Sequence, residues 1–104
     1  MHATIRRYEG VDMARTNEVT GKVNETLVPQ LRKLPGFAGY YLIEAGNGVL
    51  SSFDLFETRE LADESKTLVT KWIADEKFNS VIPNPPKITS GKVVAQSERI
   101  PALV

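Results

Sequence analysis

The chain predicts an α+β fold in which the elements run β-α-β-β-α-β, as one domain over residues 1–104. Three observations carry this expectation. Short stretches rich in β-favouring residues open and close the chain, two long stretches carry apolar residues at helical spacing, and between those lies a pair of extended segments joined at Gly46-Asn47-Gly48.

Residues 2–9, "HATIRRYE", alternate weakly and contain Thr, Ile and Tyr, which suits a first strand ended by Gly10. From Asp12 to Leu34 the period changes. Val19, Val23, Leu27, Leu31 and Leu34 form one helical stripe, within which Gly21 weakens the helix and Pro29 predicts a kink near residues 25–29. "LPG" at 34–36 ends it. Strand 2 is expected at about 37–45 and strand 3 at about 49–57. The connecting turn is either Asn47-Gly48 or Gly46-Asn47-Gly48, and a one-residue difference turns every side chain over. Three loop residues are preferred, because they oppose Ala45 to Val49, Ile43 to Ser51, Tyr41 to Phe53 and Gly39 to Leu55, which gathers one nearly pure apolar face.

The second helix starts after Thr58, a good N-cap, with Glu60, Asp63 and Glu64 near its positive end and Lys66, Lys71 and Lys77 later. Its buried stripe is expected at Leu61, Ser65, Leu68 and Trp72, with Ala62, Val69 and Ile73 alongside. "IPNPP" at 82–86 is a stiff extended connector. Strand 4 is expected at about 88–96, and the tail 97–104 carries no clear assignment. Two helical crossovers and one direct hairpin make this the ferredoxin-like unit, a four-stranded antiparallel sheet with two helices on one face.

The purer apolar face, with Tyr41, Ile43, Phe53 and Leu55, is expected beneath the helices. The other face then exposes Tyr40, Leu42, Leu50 and Phe56 beside Glu44, Ser52 and Asp54. A patch of that size marks an interface. The expectation is a homodimer, sheet against sheet, with Arg6, Tyr40, Leu42, Leu50, Asp54 and Phe56 at the interface and Arg6 supplying a partner for the carboxylates.

Composition narrows the chemistry. Hydrophobic residues are 41% and charged residues 25%, with 13 basic against 13 acidic side chains, so no net field favours nucleic acid or a lipid surface. Cysteine is absent and His2 is the one histidine. Disulfides, thiol catalysis and multi-histidine metal sites are therefore excluded within one chain, and no metal or cofactor is expected. No apolar run approaches the ~20 residues of a membrane span, and "MHATIRRYEG" does not read as a signal peptide. A cytoplasmic location is the default.

Most of the chain, from strand 1 to strand 4 and above all from Leu27 to Asp75, is similar to the antibiotic-biosynthesis-monooxygenase-like family of the dimeric α+β barrel superfamily, and looks closest to a bacterial branch of it. Pro35-Gly36-Phe37 entering strand 2, the Gly46-Asn47-Gly48 turn, Phe56-Glu57 before helix 2 and the final-strand run Ser90-Gly91-Lys92-Val93-Val94 carry the likeness. The resemblance implies a dimer of the fold above. It also implies one of several activities: cofactor-free oxidation of polycyclic phenols, haem degradation, isomerisation, dismutation or none. The haem-degrading and quinone-forming branches use an Asn on the first strand, a Trp in the second helix and often a nearby His. Here only Trp72 matches, strand 1 has no Asn and no His follows Trp72, which disfavours haem degradation.

The candidate ligand site comprises Tyr41, Ser51, Phe53, Ser65, Trp72 and Arg7. Trp72 either walls an aromatic pocket or fills the core. Tyr41 and Phe53 either line that pocket or stabilise the sheet as a cross-strand pair. Ser51 and Ser65 either leave room for a ligand or permit tight packing. Arg7 either holds an anionic group at the mouth or is solvated. His2 reads as a proton shuttle or simply a terminal residue, and no catalytic residue is assigned. Two functions follow. One is a monooxygenase-like protein that binds or oxidises a hydrophobic or aromatic small molecule without metal or flavin, and the other is a non-catalytic dimeric binding module.

Overall fold

In the computed structural model, which describes residues 1–97, four strands hydrogen-bond in the order β2-β3-β1-β4. They are β1 (His2–Tyr8), β2 (Phe37–Gly46), β3 (Val49–Phe56) and β4 (Lys87–Lys92). Each neighbouring pair is antiparallel. β1 and β2 both flank β3 and so run parallel to each other, and a parallel relation demands a long crossover. The first helical stretch supplies one. The second crossover joins β3 to β4 around β1 through α3 (Arg59–Asp75). This is the ferredoxin-like arrangement expected from the sequence.

The first helical stretch shows how Pro29 is accommodated. It runs as a short 3₁₀ turn (Met13–Arg15) capped by Asp12, then α1 (Thr16–Lys22), a π-helical turn (Val23–Leu27) and α2 (Val28–Arg32). The Val28 N–H reaches back five residues to the Val23 carbonyl. A proline has no N–H, and its ring crowds the carbonyl four residues earlier, here Glu25; widening the turn relieves that clash. The expected kink is thus a π turn. Val19, Val23, Leu27 and Leu31 are all buried on one side of it.

α3 begins where Thr58 caps it, its hydroxyl accepting the Leu61 N–H at 3.3 Å. Its buried stripe is Ala62, Ser65, Val69 and Trp72. Leu61 and Leu68 are only partly buried, so the helix is rotated slightly from the expected stripe.

The hairpin resolves the turn question in an unforeseen way. Only Asn47 and Gly48 form the turn, both at positive φ (53° and 76°), as the primed two-residue turns require. A register shift between Glu44 and Gly46 absorbs Ala45 as an extra residue, so Gly46, not Ala45, opposes Val49. Beyond the irregularity the pairs are Ile43 with Ser51, Tyr41 with Phe53 and Gly39 with Leu55. The bulge restores the register expected from a three-residue loop.

The expected assignment of faces is reversed. Tyr40, Leu42, Leu50, Ser52, Asp54 and Phe56 lie beneath the helices with Thr4, Arg6 and Tyr8 from β1, while Ile5, Tyr41 and Ile43 are 42, 62 and 53% exposed. The interface set of Arg6, Tyr40, Leu42, Leu50, Asp54 and Phe56 is therefore covered by the chain's own helices and is not offered to a second copy. Alternation fixes which residues share a face but not which face the helices take. On the covered face β1 places Arg6 beside Asp54, so the two buried charges pair with each other.

β4 is shorter than the expected 88–96, and its residues are exposed on both faces, as befits an edge strand. The Val93 N–H still donates to the Met1 carbonyl at 3.0 Å. Apart from Ser97, the tail 97–104 lies outside the described residues.

Candidate functional site

The connector after α3 shapes a cleft of about 420 Å³ against the helix-facing side of β1. Several bonds hold this connector. The Asp12 N–H donates to the Val81 carbonyl at 3.0 Å, the Ile82 N–H to the Phe78 carbonyl at 2.8 Å, and Asn84 Nδ2 to the Glu9 carbonyl at 3.1 Å. Asn84 comes so close to the end of β1 that a Cβ on Gly10 would lie 2.6 Å from its Nδ2, and Gly10 also sits at φ +69°. Glycine is favoured there, since any other residue would meet the strain of positive φ and have to displace the Asn84 amide. Pro83, Pro85 and Pro86 stiffen the segment.

Three elements line the cleft. Arg6 and Tyr8 form its floor from β1. Lys66, Thr70 and Ile73, spaced four and three apart on one side of α3, form a wall, and Ile82 with the prolines forms the opposite wall. Ile88 of β4 closes one end.

Below the floor lies a buried ion pair. Arg6 Nη1 donates to Asp54 Oδ2, with the two side chains 2% and 0% exposed. Among the described residues, Arg6 Nη2 and Asp54 Oδ1 are buried without a hydrogen-bond partner. Burial pushes the Asp54 carboxyl above its ordinary value, opposed by the Arg6 charge. Burial also raises the Tyr8 hydroxyl, which keeps it a neutral donor at the cleft floor, and raises Tyr40 beside it. On the surface, Glu9 is held below the usual carboxylate range by Lys87 and Arg7, at 3.0 and 3.2 Å.

The six residues expected to form one ligand site lie on two sides of the sheet. Tyr41 and Phe53 do pair, with ring centroids 6.2 Å apart, and with Ser51, Ile5 and Ile43 they line a shallow depression of about 280 Å³ on the open face. Arg7 shares that side of β1 and bonds Glu9 at 3.2 Å. Ser65 is buried in the helical layer, its hydroxyl donating to the Ala62 carbonyl at 2.6 Å. Trp72 donates from Nε1 to Thr26 Oγ1 at 2.8 Å and packs against Phe78 with ring centroids 5.5 Å apart. On its core side Trp72 borders about 20 Å³ of free space, room for about one water molecule, while its outer edge borders a surface groove of about 440 Å³ among Gln30, Glu64, Lys71 and Glu76. Tyr8, Lys66, Thr70 and the connector were missed as site residues. The spacing of Lys66, Thr70 and Ile73 was a legible signal, whereas "IPNPP" read only as a spacer.

Among the described residues, no group of three or more His, Asp or Glu side chains is placed to hold a metal ion, and no helix is long and apolar enough to cross a membrane.

The fold is that of the antibiotic-biosynthesis-monooxygenase-like proteins. No family model matches the chain, and no curated protein matches it by sequence. Solved structures do match. NE2512 of Nitrosomonas europaea, a protein of unknown function, superimposes with a TM-score of 0.74 at 15% identity, covering 95% of this chain and 94% of the other. The monooxygenase ActVA-Orf6 of Streptomyces coelicolor, in complex with nanaomycin D, gives 0.68 at 14% identity over 96% and 91%. The haem degrader MhuD of Mycobacterium tuberculosis, with two haems in its active site, gives 0.71 at 17% identity over 94% and 100%.

Proposed function

We propose that this chain binds a hydrophobic or aromatic small molecule in the cleft between β1, α3 and the 82–86 connector. The observation that carries the reading is the cleft itself. Its 420 Å³ falls within the range of ligand sites, and apolar walls surround a few polar groups at the floor and one wall. Two proteins of the same fold hold ligands of this kind, nanaomycin D and haem. In an oxidative version, a substrate phenol would supply electrons to dioxygen, and the chain would contribute shape, exclusion of water and the Arg6 and Tyr8 donors, with no metal or flavin.

A non-catalytic binding module is the second reading. It is favoured by a cleft lined, among the described residues, by neither carboxylate nor histidine that could act as a general base. Oxygen uptake with a bound phenol separates the two.

The binding claim is tested by thermal shift against polycyclic phenols, quinols and haem. Ligand at a hundred times its Kd should stabilise by about 2.7 kcal/mol. Thr70→Trp, which fills the cleft, should abolish the shift, while Ser51→Trp across the sheet should leave it. Loss in Ser51→Trp with retention in Thr70→Trp would move the site to the open face, and no shift with any ligand would refute the reading.

We further infer that a second copy covers the open face, where Ile5, Tyr41 and Ile43 stand in water beside Phe53.

A further inference from the structure

The cleft's charge is one-sided although the chain's is not. Thirteen basic residues balance thirteen acidic ones overall. Yet the charged side chains lining the cleft, among the described residues, are Arg6 and Lys66, both cationic. Asp54 does not line it, and one of its oxygens is already engaged by Arg6. Glu9, at the end of β1, is engaged by Lys87 and Arg7. A concave site walled by low-dielectric side chains concentrates such an excess of one sign.

Arg6 adds a second, independent observation. It is 2% exposed, and its Nη2 is buried with no partner among the described residues while Nη1 serves Asp54. A buried donor left unpaired is costly, and a guanidinium suits a carboxylate oxygen especially well. The rest of the lining is apolar at Ile73, Ile82, Ile88 and the connector prolines, with neutral polar groups at Tyr8, Thr70, Asn79 and Asn84.

We propose that the cleft selects an apolar ligand bearing one anionic group, a carboxylate or phenolate, with the anion between Arg6 and Lys66 and the apolar body against Ile73, Ile82 and Ile88. This rests on the reading of the cleft as the ligand site and narrows it to a chemical class. Arg6 supplies a directed hydrogen bond from the floor. Lys66, on the exposed side of α3, supplies the net charge that Arg6, already offset by Asp54, does not.

The test compares 2-naphthoate with its neutral isostere 2-naphthamide, titrated by calorimetry at neutral pH into the wild-type chain and into Lys66→Gln and Thr70→Trp. Lys66 is exposed, so its replacement leaves the core untouched. Naphthoate should bind at least ten-fold more tightly than the amide. Lys66→Gln should remove most of that advantage, and added salt should erode it in the wild type. Equal affinity for both compounds, abolished together by Thr70→Trp, would overturn the selection for an anion while leaving the cleft as the site. Binding of neither compound to the wild type would overturn both.

Discussion

Replacing Arg6 with Met should destabilise the protein severely, and replacing Asp54 with Leu in the same molecule should restore it. Both side chains are almost wholly buried, at 2% and 0% exposure, with Arg6 at the floor of the cleft. Removing one partner from a buried pair leaves an uncompensated charge and costs about 3–5 kcal/mol, whereas replacing both by apolar residues of similar volume is often neutral or stabilising. Each kcal/mol moves the midpoint of a domain this size by about 4–8 °C, so Arg6→Met alone should lower it by roughly 12–40 °C, much of a typical total stability of about 5–15 kcal/mol. The double variant should return to within about 1 kcal/mol of wild type. The penalty should also depend on pH. Because burial raises Asp54 above its unfolded value, the stability it contributes is full below the unfolded carboxylate range and declines as pH rises through the folded value. Without Arg6 that decline should steepen, so Arg6→Met should be least harmful in acid. Urea denaturation at fixed protein concentration, followed by the fluorescence of the single Trp72, provides the assay. Single variants that each cost less than about 1 kcal/mol and add without coupling would show that water reaches the pair, and the argument from burial would fail.

Two further outcomes follow from the hairpin and the open face. Gly48→Ala should destabilise by about 1–2 kcal/mol in urea titration, because the residue sits at φ +76° and its new Cβ would lie 3.3 Å from the Val11 carbonyl oxygen; an unchanged midpoint would mean that the turn relaxes freely. Tyr41→Lys with Ile43→Lys should yield a folded monomer by light scattering at micromolar concentration, since both side chains project from the uncovered face. A wild-type chain that is itself monomeric at that concentration would remove the inference of a second copy.

Local chemistry, all of it adjacent in sequence, was enough to establish the order of elements. Thr58 marks the start of α3, Pro29 disturbs the first helix within a turn of itself, and Asn47-Gly48 can adopt the positive φ values of a tight hairpin. Alternation likewise grouped Tyr41 with Phe53 and Tyr40 with Phe56, because side chains on a strand change sides at every residue. Only the assembled sheet decided which group the helices would cover. That face carries Arg6, which lies 48 residues from Asp54 in the chain and meets it because β1 inserts beside β3. The cleft was hidden for the same reason. Its floor, wall and strap come from β1, α3 and the 82–86 connector, and only tertiary packing brings those segments around one space.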